Sequence, residues 1–403
     1  MSTTSRRATV LLTTGILLIG ANLRLPITMM PPMLDSVRRA AELPTSLAGL
    51  LTTIPLLMFA LLSPIVAQLG IRRGTGQTLL LTMIILVGGS YLRIINGAWA
   101  LLLGTALVGV GITGGNVLLP ALIKEKFPTK IGPLTAVYST TMSIVASLAT
   151  AFAGVMSVHI GSRSTMATLS TVSIVALVFW ALCAPFYGHP RKLNNGNNTD
   201  RLRPIMSAPL SWAIMLVFGL QSLLYYSLLT WLPSIWVAAG FSQVAASTLT
   251  TVFQFAGLPF SLLVPTLAYR HHGEAIVVAI SAGGYLLGVL GILFSGTNFT
   301  ANVVAALIAG CGSGAAFNLA IILFQKKAAT AVDTARLSGM SQSLGYLLGA
   351  VGPILFGLIT SRVAVLLLSA VIAAALGICG IITTTHTSIF PTKSQADKVG
   401  NRP

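Results

Sequence analysis

Long apolar runs alternate with short polar segments along the whole chain. A helix needs about 20 apolar residues to cross a bilayer core, and it satisfies its own backbone hydrogen bonds there, so each run predicts a membrane-spanning helix. We predict twelve spans, numbered in chain order, at 9–33, 46–69, 77–95, 98–122, 132–157, 165–187, 209–237, 246–269, 275–295, 300–324, 335–360 and 363–384. The predicted fold class is an all-α membrane protein.

The longest hydrophilic stretch between spans separates them into two groups of six. It is rich in asparagine and charged residues, a composition typical of a flexible linker. The predicted units are an N-terminal six-helix bundle at 1–188, a cytoplasmic linker at 189–208, a C-terminal six-helix bundle at 209–385 and a cytoplasmic tail at 386–403.

A weak internal repeat indicates that the two bundles are pseudo-symmetric. A shift of 202 residues places Asn116 to Lys124 over Asn318 to Lys326, and both segments are apolar between their end residues. Each lies in the fourth span of its bundle. Two sets of six spans around a central linker are the layout of secondary transporters built from structural repeats.

The distribution of charge supports the same topology. The net charge of +17 suits nucleic-acid binding, but only 8% of residues are charged, against about 25% in soluble proteins. The basic residues lie in short clusters between spans, so we expect no nucleic-acid partner. If the spans alternate in direction, eighteen of the 24 Lys and Arg residues fall on the side of both termini, Arg24 lies within a span, and five fall outside: Arg38, Arg39, Arg93, Arg163 and Arg362. Cytoplasmic loops collect Lys and Arg, which predicts a multi-pass inner-membrane protein with both termini in the cytoplasm.

Arg24 is the most informative single residue. It lies about 15 residues into the first predicted span, roughly 20 Å from the start at 1.5 Å per residue and so near mid-membrane. An arginine at that depth costs about 2.5–3.5 kcal/mol on insertion scales, so it is expected to face a polar cavity. Its planar, charged fork suits oxyanions, which predicts a substrate-binding residue. The alternative is a structural arginine bonded to helix carbonyls or to a neighbouring amide.

Polar and aromatic side chains on other spans are candidates for the same cavity. Asn116 and Asn318 are related by the repeat, Tyr225 and Tyr226 offer an aromatic wall, and Gln342 continues a polar stripe on span 11. The alternative for each is a hydrogen bond between helices. No acidic residue or histidine is predicted inside a span. Proton coupling would therefore involve a proton travelling with the substrate or a residue at a span end such as Asp35.

Other kinds of chemistry have no sequence signal. The three cysteines lie in apolar runs without CxxC spacing, no P-loop occurs, and no nucleophile and base are paired at membrane depth. We therefore expect neither an enzyme nor a metal or cofactor site.

Several short runs resemble one branch of a known transporter family. The loop Ala67 to Gly74 resembles the loop after helix two of the major facilitator superfamily, with the basic pair present and the acidic residue absent. Closer matches to its cyanate permease and nitroimidazole transporter branch are 21–24, 31–34, 49–57, 115–120, 225–233 and 337–343. The resemblance implies the major facilitator fold, alternating access, and a central cavity lined chiefly by spans 1, 4, 7 and 10 with Arg24 in the binding region.

Together these observations predict a secondary active transporter. It would move a small anionic or polar nitrogen-containing compound, cyanate- or nitroimidazole-like, with Arg24, Asn116, Tyr225, Tyr226, Asn318 and Gln342 as substrate-binding residues. The alternative is efflux of neutral toxic small molecules with a structural Arg24. We expect a monomer in the lipid bilayer, with protons as the candidate coupling ion.

Overall fold

The computed structural model describes residues 3–44, 47, 50–187, 205–359 and 361–389. This part of the chain is almost entirely helical and contains no strand. All twelve predicted spans are present in it: Thr3–Asn22 with Leu25–Thr28 (span 1), Leu50–Arg73 (span 2), Thr75–Leu92 (span 3), Ala98–Lys126 (span 4), Ile131–Ile160 (span 5), Ser162–Leu182 (span 6), Pro209–Ala238 (span 7), Gln243–Ala256 with Leu258–Leu267 (span 8), Gly273–Phe294 (span 9), Phe299–Lys327 (span 10), Ala331–Gly357 (span 11) and Arg362–Thr384 (span 12).

Short helices occupy some of the connections. They are Pro31–Met33, Leu34–Ala40, Ala184–Phe186 and Ile205–Ser207. Most of the predicted linker and tail, at 189–204 and 390–403, lies outside the described residues.

Span 11 differs in composition from the other spans. Within the described residues, eleven helices are long and apolar enough to cross a membrane by length and composition, and span 11 is not among them. It is 27 residues long, but Ser338, Ser341 and Gln342 are buried polar residues that lower its hydropathy. Because span 11 packs against spans 2 and 7, this polar stripe contacts protein in place of lipid.

Spans 1 and 8 are broken, whereas the sequence predicted one continuous helix for each. The first segment of span 1 ends at Asn22, Leu23 and Arg24 form a turn, and a second segment runs from Leu25 to Thr28. Pro26 explains the break, because proline has no backbone N–H to continue the helix ladder. Span 8 divides at Gly257, followed by Pro259 near the start of its second segment.

Glycines allow several helices to cross at backbone contact. On spans 9 and 10, a Cβ added to Gly284 would lie 2.6 Å from the Cα of Gly312. On spans 3 and 4, one added to Gly104 would lie 2.8 Å from the carbonyl oxygen of Gly89. Small residues at such crossings let helices approach closely.

The two bundles are hydrogen-bonded to each other near one face of the molecule. We call it the basic face, because the span ends there carry Arg72, Arg73, Lys124, Lys126, Lys130, Arg270, Lys326, Lys327 and Arg336. The ammonium of Lys124 on span 4 donates to the carbonyls of Gln325, at 2.6 Å, and of Ala328. The hydroxyl of Thr135 donates to Gln325 Oε1 at 3.0 Å. These bonds join spans 4 and 5 to the end of span 10 and so connect the two bundles on that side.

Candidate functional site

A cavity of about 170 Å³ lies between the two bundles. The first bundle contributes residues of spans 1 and 5, and the second contributes residues of spans 7, 8, 10 and 11. Span 4 does not contribute to the lining, so the expected set of spans 1, 4, 7 and 10 is only partly correct. The lining residues used below are Arg24, Thr28, Ser143, Ser147, Tyr225, Tyr226, Phe255, Ser261, Ser313, Phe317, Asn318 and Tyr346.

Arg24 reaches this cavity from the break in span 1. Its Cζ lies 5.0 Å from the ring centroid of Phe317 and 5.7 Å from that of Tyr225, both within cation–π range. These rings belong to spans 10 and 7, so the cation of one bundle packs on aromatic rings of the other. Arg24 forms no ion pair with a carboxylate in the described part of the chain. The guanidinium is therefore held by aromatic contacts and faces a space open to a ligand.

The break itself places Arg24. Its own carbonyl oxygen accepts from the amides of Ile27, at 3.0 Å, and Thr28, at 2.9 Å, and from the Thr28 hydroxyl at 3.0 Å. Arg24 is thus the start of the short second segment, with φ −120° and ψ −34°. An uninterrupted helix would give the side chain a different direction.

Asn318 and the tyrosine pair also line the cavity. The amide nitrogen of Asn318 donates to the carbonyl of Gly314 at 2.8 Å, while its Oδ1 is buried and has no hydrogen-bond partner. The rings of Tyr225 and Tyr226 meet edge to face, with centroids 5.2 Å apart. The structure therefore places four of the six predicted residues, Arg24, Tyr225, Tyr226 and Asn318, around one cavity.

Asn116 and Gln342 lie elsewhere, at the contact between spans 4 and 11. Gln342 is 1% exposed, and its Nε2 donates to the backbone carbonyl of Asn116 at 2.9 Å and to the Ser338 hydroxyl at 2.8 Å. Neither side chain lines the cavity. The repeat thus gives Asn116 and Asn318 equivalent positions along their spans but different surroundings, because span 4 faces span 11 at this depth.

The sequence reasoning missed several lining residues. Phe317 precedes Asn318 and was not singled out, and Ser143 and Ser147 lie one helical turn apart on span 5. The hydroxyl of Ser143 is 3.0 Å from that of Ser261 on span 8, so this serine row also joins the bundles. Its spacing of four residues is the signal that could have identified it.

The site offers organic binding groups, and no metal-binding set is found with them. No group of three or more His, Cys, Asp or Glu residues that could hold a metal ion occurs among the residues that the structure describes. The cavity presents one guanidinium, hydroxyl groups, an amide oxygen and aromatic rings. This combination can bind a small, flat, polar molecule.

Comparison with known proteins identifies the family. The model of the Major Facilitator Superfamily matches residues 12–353. The chain belongs to this superfamily. It is therefore a multi-pass transporter, and its curated relatives are likewise named as transporters, a class distinct from enzymes.

The relatives lie in the branch that the sequence motifs indicated. An uncharacterized transporter, YycB of Bacillus subtilis (strain 168), is 38% identical over 86% of this chain and 85% of its own length. The 2-nitroimidazole transporter of Escherichia coli (strain K12) is 35% identical over 86% and 88%. The cyanate transport protein CynX of the same organism is 25% identical over 86% and 89%.

Solved structures agree with the fold. The proton:xylose symporter XylE superposes with a TM-score of 0.75 at 13% identity, covering 98% of this chain and 99% of that one. The E. coli fucose:proton symporter FucP gives 0.72 at 12% identity, covering 92% and 98%. At this level of identity the likeness concerns the fold alone, and it confirms twelve spans in two six-helix bundles.

Proposed function

We propose that this superfamily member is a secondary active transporter of a small anionic or polar nitrogen-containing compound, moved by alternating access. The observation that carries the proposal is Arg24, a cation at membrane depth that faces an inter-bundle cavity and packs on Phe317 and Tyr225. Buried arginines inside membranes face cavities or partners and mark substrate pathways. The names of two relatives, a 2-nitroimidazole transporter and a cyanate transport protein, support the proposed substrate class.

The cavity chemistry narrows that class. We expect Arg24 to bind a nitro oxygen or an anionic group, because its fork donates two parallel hydrogen bonds. Asn318 Oδ1 lacks a partner and would accept from a substrate N–H. Tyr225 and Tyr226 would flank the flat face of the substrate. Gln342 and Asn116, predicted as binding residues, are now proposed to join the bundles through the hydrogen bond from the Gln342 side chain to the Asn116 backbone carbonyl.

Alternating access has a structural counterpart in the two zones of the molecule. The bonds of Lys124 and Thr135 to span 10 close the basic face. Their opening, with closure on the opposite side, would move the cavity from one membrane face to the other. We infer from the basic-residue bias that this face is cytoplasmic, in an inner membrane, with both termini on the same side.

The test is flux in proteoliposomes. Purified wild-type protein and its Arg24→Ala and Arg24→Lys variants are reconstituted, and uptake of radiolabelled 2-nitroimidazole and of cyanate is followed. We expect Arg24→Ala to abolish transport and Arg24→Lys to recover little, because a lysine lacks the planar fork. Normal transport by a well-folded Arg24→Ala protein would falsify the assigned role.

Arg163→Ala is the matched control. Arg163 donates to the carbonyl of Ala40 at 2.6 Å, outside the cavity. Its loss should leave the flux of both compounds unchanged. A melting temperature close to that of the wild type establishes that each variant is folded.

A second candidate function is export of neutral toxic compounds. The aromatic contacts of Arg24 favour it, because they compensate part of the charge without a ligand. Vesicles loaded with 2-nitroimidazole and followed in both directions separate the two functions. Export that survives Arg24→Ala would support the second.

Proton coupling and oligomeric state complete the proposal. We propose that protons are the coupling ion, entering with the substrate or through Asp35, whose side chain lies outside the described residues. An imposed pH gradient should then drive accumulation, and collapsing it with a protonophore should stop accumulation. We propose a monomer in the bilayer, which light scattering of the purified protein would check.

A further inference from the structure

A second arginine, Arg93, is buried in the wall of the first bundle. It follows the last residue of span 3, was predicted at the outer end of that span (77–95), and is only 3% exposed. Its Nη1 donates to the backbone carbonyl of Pro26 at 3.0 Å, whereas its Nε and Nη2 have no hydrogen-bond partner. Burying a charge costs free energy unless the group makes compensating contacts. The hydrogen bond to the Pro26 carbonyl is the contact that explains why this arginine is buried.

The carbonyl of Pro26 needs an external donor because the short segment Leu25–Thr28 ends two residues after it. In a continuous helix it would accept from the amide of Met30, but that amide bonds to Ile27 at 3.1 Å. A buried carbonyl without a partner costs about 1–3 kcal/mol. Arg93 therefore replaces the helix bond that is lost where the short segment ends.

The neighbouring helix leaves space for this arginine. A Cβ added to Gly104 on span 4 would lie 2.7 Å from Arg93 Cγ and 2.8 Å from its backbone nitrogen. Any larger residue at position 104 would displace the side chain or its backbone. Spans 1, 3 and 4 thus meet at one point, where the arginine crosses to the broken segment.

We propose that Arg93 is a positioning residue for Arg24. Arg24 opens the short segment Leu25–Thr28, and its carbonyl accepts from both Ile27 and Thr28, so the segment and Arg24 move together. By holding Pro26, in the middle of this unit, Arg93 keeps the Arg24 guanidinium against Phe317 and Tyr225. Its importance for transport rests on the proposed function, but the positioning itself does not.

The experiment reads the position of Arg24 directly. The residue 4-cyanophenylalanine is placed at position 317, and its nitrile stretch is recorded by infrared spectroscopy in detergent-solubilised protein. The guanidinium lies 5.0 Å from this ring, so Arg24→Met should shift the band. We expect Arg93→Met to shift it in the same direction by at least half as much, and Arg93→Lys to shift it less, because lysine keeps a charged donor.

A matched control and a second variant keep the test decisive. Arg163→Met also removes an arginine-to-carbonyl hydrogen bond, to Ala40, and should leave the band unmoved. If Arg93→Met does not fold, Arg93→Gln decides by the same criterion, since glutamine is two bonds too short to reach Pro26. A wild-type band in a folded Arg93→Met or Arg93→Gln protein overturns the proposal.

The outcome is separable from the fate of the proposed function. If Arg24→Ala transports normally, the transport role of Arg24 fails while the band shift still reports whether Arg93 positions it. If transport depends on Arg24 but the nitrile band does not shift in the Arg93 variants, only the positioning proposal fails.

Discussion

The contact between the two bundles differs in chemistry between its two zones. Toward the basic face it consists of directed hydrogen bonds, from Lys124 to the Gln325 carbonyl at 2.6 Å and from Thr135 to the Gln325 side chain at 3.0 Å. Around the cavity it includes the Arg24 guanidinium on aromatic rings at 5.0 and 5.7 Å, together with one hydroxyl pair, Ser143 and Ser261, at 3.0 Å. Directed bonds hold one geometry, whereas ring contacts tolerate sliding. The first zone is suited to a gate and the second to a site that must accept a ligand.

The largest effect is expected from removing the gate's charged donor. Lys124→Met deletes charge-assisted hydrogen bonds worth about 1.5–3 kcal/mol each. With both bonds lost, the equilibrium should shift toward opening at the basic face on the order of a hundred- to ten-thousandfold. The measurement is the labelling rate of Ser313→Cys, with the three native cysteines replaced, by a membrane-impermeant thiol reagent added on the basic side of oriented vesicles.

Lys126→Met is the control for this change. Lys126 pairs at 2.9 Å with its chain neighbour Glu125 and makes no bond across the bundles in the described structure. Its labelling rate should match that of the unmodified protein. Equal rates for the Lys124 and Lys126 variants would remove Lys124 from the gate.

The next effect concerns the tight packing of span 11 against span 2 within the gate. A Cβ on Gly339 of span 11 would lie 2.7 Å from Ala67 Cβ and 3.0 Å from the carbonyl of Ser63, both on span 2. Gly339→Leu should overpack this contact by about 1–3 kcal/mol and raise the same labelling rate. Gly283→Leu is the control, because a Cβ there meets nothing within 4 Å. A labelling rate no higher than that of this control would contradict the model of a tightly closed basic face.

A smaller effect is expected in the cavity. Phe317→Leu removes one of the rings that hold Arg24 in place. The ligand must then order the Arg24 side chain when it binds, and ordering one side chain costs about 0.5–1.5 kcal/mol. We expect 2-nitroimidazole to bind roughly two- to tenfold more weakly, measured by titration calorimetry. Phe255→Leu, at another lining ring, should change the affinity less. Equal losses for the two variants would argue against a specific role for the Phe317 contact.

The smallest effect tests whether Gln342 of span 11 belongs to the gate or to the substrate site. Gln342→Leu removes the 2.9 Å bond to the Asn116 carbonyl, and bonds between membrane helices average about 0.6 kcal/mol. The labelling rate should rise less than threefold, with the affinity for 2-nitroimidazole unchanged. A large loss of affinity would return Gln342 to the binding residues.

The sequence was sufficient for the architecture because hydrophobic length and charge bias act on whole spans. Even span 11, whose buried serines and Gln342 lower its hydropathy, was predicted from its long apolar run. The site was predicted less completely. Arg24, Tyr225, Tyr226 and Asn318 meet at the cavity. Phe317, however, looked like any lipid-facing phenylalanine, and Asn116 is absent from the lining, with its backbone carbonyl bonded to Gln342 of span 11. Which side of a helix faces a cavity depends on packing between distant segments. A single broken turn, such as that at Leu23, changes the direction in which the side chains after it point.

The crossing of spans 9 and 10 has a consequence for how such a protein can change over generations. Gly284 and Gly312 meet with no room for even one methyl group, so alanine, usually the mildest replacement, should be among the poorly tolerated choices there. Ser147 of span 5, by contrast, lines the cavity and donates within its own helix, to the Ser143 carbonyl at 3.0 Å, so it can vary. A library selected for a new substrate should therefore accumulate changes at Ser147, while the glycines of the remote crossing remain untouched.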